Sequence, residues 1–411
     1  MLSKKEALSL EPLLNEGNLK GGGYYAEYRT DDARLTIELI KTAQKHSALA
    51  LNYCEGTRFI YQDDKLEAVE CKDVLTGTSF QVKATQVVSA GGAWVDQIRT
   101  KDNSMNNKRL HHTKGVHLVF PHDKFPLKQS VYFDVPDGRM IFAIPRGRAT
   151  YVGTTDTTYH GSLNKVLVTQ ADVGYILNAI QHAFPAVKLS AEDVESSWAG
   201  LRPLIHEDGK SPSELSRKDE IFESDTGLIS IAGGKLTGYR KMAERVVDLV
   251  TEKLKGDFKE CNTSAITLSE DALANTEIVN EYIKELSGKM ESLGLSSYHA
   301  WYLTTTYGKS SEIILAHFST FEDAPEVALA RAELWYAVHY EMAHRLEDFF
   351  VRRTGQLYFD IENIAEVRKA VAIDLQQYLK WDEAFLAEEQ KRLSELIHDA
   401  THFYEEEKTK S

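Results

Sequence analysis

From residue 115 onward, short apolar runs alternate with polar positions and are separated by turn residues: "GVHLVF" (115–120), "QSVYFDV" (129–135), "RMIFAIP" (139–145) and "ATYVGTTD" (149–156). Alternation with a period of two over runs this short predicts antiparallel strands, and "PRGRAT" predicts a hairpin turn between the last two. "VESSWAGLRPLI" (194–205) and "GLISIAGG" (227–234) predict two more strands. Upstream, "ALALNY", "TRFIYQDD", "KLEAVECKDV" and "TSFQVKATQVVSA" predict an earlier group between residues 48 and 90. Elsewhere the apolar spacing becomes helical. Leu35, Ile37, Ile40 and Ala43 follow a cap at Thr30 or Asp31 and predict a helix to about Gln44. Another is predicted near 170–184. Met242, Val246, Val247, Leu249, Val250 and Leu254 predict a third over 238–254. Residues 269–345 and 362–400 are rich in Glu, Ala, Leu and Lys, with little strand signal beyond "GQLYFDI", and predict a separate helical domain.

Composition narrows the classes. The 411 residues suggest two or three domains at roughly 150 residues each. A net charge of −14 excludes nonspecific nucleic-acid binding, which needs a basic face. Cys54, Cys71 and Cys261 form no CxxC pair, which argues for a reducing, cytoplasmic compartment and against a disulfide framework or a zinc site. No stretch approaches the ~20 apolar residues that span a bilayer, so membrane attachment would be at the surface.

The candidate chemistry starts at "SIAGGKLTGYRKMAE" (230–244), where a strand runs through Gly233, Gly234 and Lys235 into a helix. Unpaired backbone N–H groups and the helix dipole make such a turn an anion site. It is not a P-loop: Ile229 stands where the first glycine belongs, and Leu236 follows the lysine. GxGxxG occurs nowhere. By itself the turn reads as a helix start with a glycine hinge. Arg202, set among Trp198, Leu201 and Leu204, needs either an internal carboxylate or a bound anion. Arg217 follows in a polar loop. A phosphate would suit both guanidinium forks. His117 alternates with Val116, Leu118 and Phe120 and so faces the opposite side of its strand, as a structural histidine or as a general base. "HYEMAH" (339–344) lacks zinc-ligand spacing.

"KGGGYYAEYRTDDARLTIE", "HTKGVHLVF", "YFDVPDGRMIFAIPR", "YVGTTDT", "ESSWAGLRPLI", "SRKDEI", "AGGKLTGYRKMAE" and "DFFVRRTG", in this order, resemble the FAD-dependent glycerol-3-phosphate dehydrogenases and the related α-glycerophosphate oxidases. The resemblance implies an α/β fold with an α+β substrate domain. Residues 1–105 form a partial FAD-binding domain, 106–226 an antiparallel substrate domain, 227–255 a return to the FAD-binding domain, and 256–411 a C-terminal helical domain. Two departures stand out. Roughly the first quarter of the family pattern, with its dinucleotide turn, has no counterpart, so the expectation is a truncated chain holding little flavin alone. "SAGGAWVD" also replaces an "ATGPWVD"-like turn.

The activity implied is oxidation of sn-glycerol 3-phosphate at C2 to dihydroxyacetone phosphate, with hydride passing to FAD. His117 matches the histidine near substrate and is the candidate base. Arg202 and Arg217 match the substrate arginines, and Lys235 matches the lysine beside flavin and reacting hydroxyl. Gly233, Gly234, Leu236 and Thr237 match the turn along the flavin N1–C2=O edge. Ala90, Gly91 and Gly92 match a second contact on the pyrophosphate side, and the run around Gly56 is expected near the adenine. No oxidase-like insertion lies between 250 and 300, which favours a quinone over oxygen as electron acceptor. A homodimer and a peripheral membrane position stay open. The alternative from another class is a noncatalytic ligand- or partner-binding fragment without FAD.

Overall fold

The computed structural model describes residues 1–17, 19–207, 218–268 and 273–405. The chain opens with β1 (Leu2–Ser3), α1 (Lys4–Leu10) and β2 (Gly21–Gly22), the two strands pairing antiparallel. Helix α2 (Asp32–Lys45) starts where the Asp31 carboxylate accepts the Arg34 backbone N–H, as an N-cap should. Strands β3 (Cys54–Gln62), β4 (Lys65–Asp73) and β5 (Ser79–Lys83) form an antiparallel meander. Strand β6 (Val88–Ser89) and α3 (Val95–Lys101) follow.

The central sheet is built on β7 (Lys108–Pro121), with β8 (Val131–Asp134), β9 (Met140–Arg146), β10 (Ala149–Gly153) and β11 (Thr157–Thr158) in the order β11–β7–β10–β9–β8. Strand β12 (Ser196–Glu207) lies antiparallel to β7 along its whole length, from Ser196 opposite Val119 to Glu207 opposite Lys108. Helix α4 (Gln170–Ala183), closed by a Thr169–Asp172 capping box, covers one face of this sheet. Val116, Leu118 and Phe120 of β7 meet Val173, Ile176 and Ile180 there in one buried cluster. Buried Lys114 donates to buried Asp172 at 2.5 Å, pairing a charge that would be costly alone. His117 lies on the other face, as the alternation predicts.

A smaller sheet runs β13 (Asp219–Glu223), β14 (Ile229–Gly233), β6, with β14 and β6 parallel. Helix α5 (Tyr239–Leu254) follows β14. The helical domain comprises α6 (Thr276–Ser292), α7 (Ser297–Tyr307), α8 (Ser311–Phe318), α9 (Pro325–Glu341), α10 (Gln356–Phe359), α11 (Ile361–Leu379) and α12 (Glu383–Thr401), around two apolar clusters of its own.

Three local expectations change. "ALALNY" makes no strand: Leu49 and Leu51 are exposed, Asn52 donates to the Met342 carbonyl, and Tyr53 turns the chain at φ +52° while its hydroxyl donates to Asp348. Side-chain anchors to the helical domain replace ladder bonds in that segment. "TSFQVKATQVVSA" divides into β5 and β6, which belong to different sheets. "GQLYFDI" folds as the short α10 after Gly355, at φ +67°, reverses the chain. Leu357 then enters the helical core, Phe359 turns to the central sheet, and Tyr358 packs against both. Strand β13 pairs antiparallel with β14, from Asp219 opposite Gly233 to Glu223 opposite Ile229.

Candidate active site

The face of the central sheet opposite α4 carries the site. Trp198 and Gly153 are the ladder partners of His117, one on each side, so all three share that face. The His117 and Trp198 rings stack at 4.7 Å with 14° between planes. Phe142, Tyr151 and, from α10, Phe359 enclose the pair. Gly153 is required here, because a Cβ would overlap the imidazole. The Nδ1 atom of His117 is buried without a hydrogen-bond partner. Burial first, and the Arg202 charge second, pull the His117 pKa down to about 4. The imidazole is therefore neutral at physiological pH.

Arg202, opposite Thr113, sends its guanidinium back across Gly115. Its Nη1 donates to the Thr155 carbonyl at 3.1 Å and to Asp156 Oδ1 at 3.2 Å, and Nη2 donates to Thr154 Oγ1 at 3.0 Å. A Cβ at Gly115 would lie 2.7 Å from Nη2, so glycine makes the passage. Gly200, opposite Gly115, has open space where a Cβ would stand. The backbone between Trp198 and Arg202 is thus a bare floor on which a planar ring or a small substrate can lie.

Both glycine turns sit at one end of the β7–β12 pair. Beyond β6, Ala90, Gly91 and Gly92 lead into a 3-10 turn and α3, and the Ala93 carbonyl lies 2.9 Å from His112 Nε2. Beyond β14, Gly233 rests against Ile205 of β12, and Gly234, Lys235, Leu236 and Thr237 are exposed as they lead into α5. Gly233 and Gly234 have φ of +75° and +78°, which side chains rarely adopt. No side chain caps either helix start. The Lys235 ammonium, among the described residues, makes no ion pair or hydrogen bond. Parallel strands bind ligands beyond their carboxyl ends, and β6 and β14 deliver both turns there. Uncapped donors, an unpaired lysine and a bare floor fit the polar edge and flat ring of a flavin.

Among the described residues, Gly56 is not brought to these turns. Arg217 lies outside the described residues. Gly56 sits in β3 opposite Cys71, and the neighbouring Thr57 carbonyl accepts from Lys101 at the C-terminal end of α3. The Ala90–Gly92 turn feeds the other end of that helix, about 10 Å away at 1.5 Å per residue. Conversely, the sequence reading passed over Thr154, Asp156 and Gly200 as site residues. In the sequence, "YVGTTD" and the glycine in "SWAGLRP" signal only strands and the family resemblance. A cavity of about 1450 Å³ also opens between α2 and the helical domain and reaches Arg146 and Phe359 beside the aromatic enclosure.

A two-turn crevice beside an antiparallel sheet defines a class, that of the flavin-dependent oxidoreductases. A family model described as FAD dependent oxidoreductase matches residues 1–239. A second, described as the C-terminal domain of alpha-glycerophosphate oxidase, matches residues 261–385. The aerobic glycerol-3-phosphate dehydrogenase of Bacillus subtilis is 47% identical over 410 residues, covering 97% of this chain and 74% of that protein. The Staphylococcus haemolyticus enzyme of the same name is 44% identical over 409 residues, covering 98% and 73%. The solved glycerol-3-phosphate dehydrogenase of Bacillus halodurans, complexed with FAD, superposes with a TM-score of 0.89 at 45% identity, covering 98% of this chain and 80% of that one. The chain belongs to the FAD-dependent glycerol-3-phosphate dehydrogenase family. An FAD-bound L-alpha-glycerophosphate oxidase from Mycoplasma pneumoniae, at 19% identity and a TM-score of 0.50, shares the fold alone.

Proposed function

We propose that the protein oxidises sn-glycerol 3-phosphate at C2 to dihydroxyacetone phosphate and passes the electrons to a quinone. The observation that carries this reading is the placement of Arg202 and His117 on one sheet face, beside a bare backbone floor and the two glycine turns. Bound FAD supplies the hydride acceptor. The residues that would hold it are Ala90, Gly91 and Gly92 on one turn and Gly233, Gly234, Leu236 and Thr237 on the other. Backbone donors of the second turn favour negative charge on the ring edge they face.

Arg202 presents its fork to the substrate phosphate, a role in which Arg217 would join it. The C2 hydroxyl then comes within reach of the neutral His117 ring, which accepts the hydroxyl proton. Phosphate on Arg202 cancels the charge that helps depress the His117 pKa, so substrate binding itself strengthens the base. Lys235 offers a free positive charge to the oxygen as it loses that proton. Phe142, Trp198 and Phe359 exclude water around the ring.

The acceptor is the second half of the reading. Names of relatives at 43–47% identity support a dehydrogenase, and no helix among the described residues is long and apolar enough to cross a membrane. Anaerobic addition of glycerol 3-phosphate to the FAD-loaded protein is the test. Bleaching of the flavin absorbance with one equivalent of dihydroxyacetone phosphate formed is expected, and an unbleached flavin rejects the reading. Reoxidation by a soluble quinone faster than by air, with little hydrogen peroxide, is expected. Stoichiometric peroxide would assign oxygen instead.

A further inference from the structure

We propose that Asp156 is a positioning residue that sets the Arg202 guanidinium for the substrate phosphate. The inference rests on the reading of Arg202 given above and goes one residue further. Arg202 leaves β12 opposite Thr113, yet its guanidinium ends two ladder positions along the sheet, beyond Gly115. A flexible side chain of four rotatable bonds does not stay in such a place without anchors. Among the described residues three are present, all in the segment that joins β10 to β11.

Each anchor fixes a different degree of freedom. The Thr154 hydroxyl holds Nη2, and the Thr155 carbonyl holds Nη1 from the backbone. Asp156 Oδ1 holds Nη1 from the solvent side at 3.2 Å. A planar fork held on both terminal nitrogens cannot rotate about its own axis. Asp156 gives Nη1 a second acceptor, and its removal leaves that edge on the single Thr155 bond, less tightly aimed. Both partners are part-exposed, with 36% of the Arg202 side chain and 33% of the Asp156 side chain accessible. Charge attraction there is screened, so the carboxylate acts chiefly as a placed acceptor. The substrate phosphate then meets a fork already aligned rather than one that must be ordered on binding.

A calorimetric titration of the protein with glycerol 3-phosphate tests this, backed by KM and kcat of the FAD-loaded enzyme. Asp156→Ala is expected to weaken binding about tenfold, the scale of one hydrogen bond to a charged group, with KM rising in step and kcat changing less than twofold. Asp156→Asn retains an acceptor oxygen and is expected to recover most of that loss. In an Arg202→Ala background, Asp156→Ala is expected to change nothing, because the two residues act as one unit. Unchanged or tighter binding in Asp156→Ala, while Arg202→Ala weakens it, overturns the positioning role and leaves Arg202 in place. An equal loss in both backgrounds also overturns it. No loss in Arg202→Ala by itself overturns the underlying phosphate reading instead.

Discussion

Two arginines show how differently this molecule treats buried charge. Arg34, in α2, makes a bidentate pair with Glu341 at the end of α9, with both bonds at 2.7 Å, and neither side chain is more than 7% exposed. Its Nε donates to the Thr306 carbonyl, and Arg353 donates twice to the Glu341 carbonyl. The charged groups of that seam, Arg34, Lys41, Glu341 and Arg353, all have partners. At the sheet face, by contrast, Arg202 is one-third exposed, His117 Nδ1 has no partner, and Lys235 stands alone among the described residues. A satisfied network fixes a structure. An unsatisfied one stores binding capacity, and that contrast marks which region does chemistry.

The sharpest way to break the contrast is to exchange readouts. Arg34→Ala leaves Glu341 as a buried carboxylate without its main partner. It is expected to cost about 3–5 kcal/mol of unfolding free energy in a denaturant titration. KM for glycerol 3-phosphate should stay within about twofold. Arg202→Ala is expected to do the opposite: a rise in KM of about a hundredfold and a change in stability under about 0.5 kcal/mol. A large KM effect from Arg34, or a large stability effect from Arg202, would erase the distinction.

His117 sharpens it at the level of rate and pH. His117→Ala is expected to slow flavin reduction by about 10²–10⁴ in stopped flow while FAD stays bound. The wild-type histidine also leaves a stability signature. Its folded pKa, about 4, lies below the ordinary 6.5, so the unfolded chain takes the proton first. Stability is complete above about pH 6.5 and falls as pH drops toward 4. Thermal melts between those values should lose that slope in His117→Ala. An identical slope in both proteins would mean that the imidazole is not held neutral.

What the sequence could disclose divides along the same line. Alternation along "KGVHLVF" put His117 on the face away from the core, because a strand allows only two faces. An arginine in an apolar run announced that it needed an anion, and Asp156 is the internal one. That partner stayed hidden because it lies 46 residues away and meets Arg202 only after β10 and β12 both pair with β7. The open floor at Gly200 was hidden for the same reason: a glycine is informative only once its neighbours in space are known. The misread "GQLYFDI" shows the limit of periodicity. Its apolar residues Leu357, Tyr358 and Phe359 are consecutive, and their side chains divide between the helical core and the central sheet rather than between two sides of a strand.

The last expected effect concerns Glu333, a buried acid of the helical domain. Its Oε1 accepts from both the Tyr302 hydroxyl at 2.7 Å and the Tyr307 hydroxyl at 2.9 Å, and it is 1% exposed. Burial raises its pKa to about 7 despite those two bonds. The sign is opposite to that of His117. Below about pH 4.5 the folded and unfolded states both hold the proton, and this acid costs nothing. Between about pH 4.5 and 7 the unfolded chain gives up this proton while the folded state keeps it, so stability declines across that window and levels off above it. Glu333→Gln keeps the acceptor oxygen for both tyrosines and removes the titration. It is expected to match wild type near pH 4.5 and to exceed it by about 2–3 kcal/mol at pH 8, read from paired urea titrations. Equal stabilities at pH 8 would show that even the paired region relaxes enough to hydrate a charge. The cavity that Glu333 lines supplies the route by which water would do so.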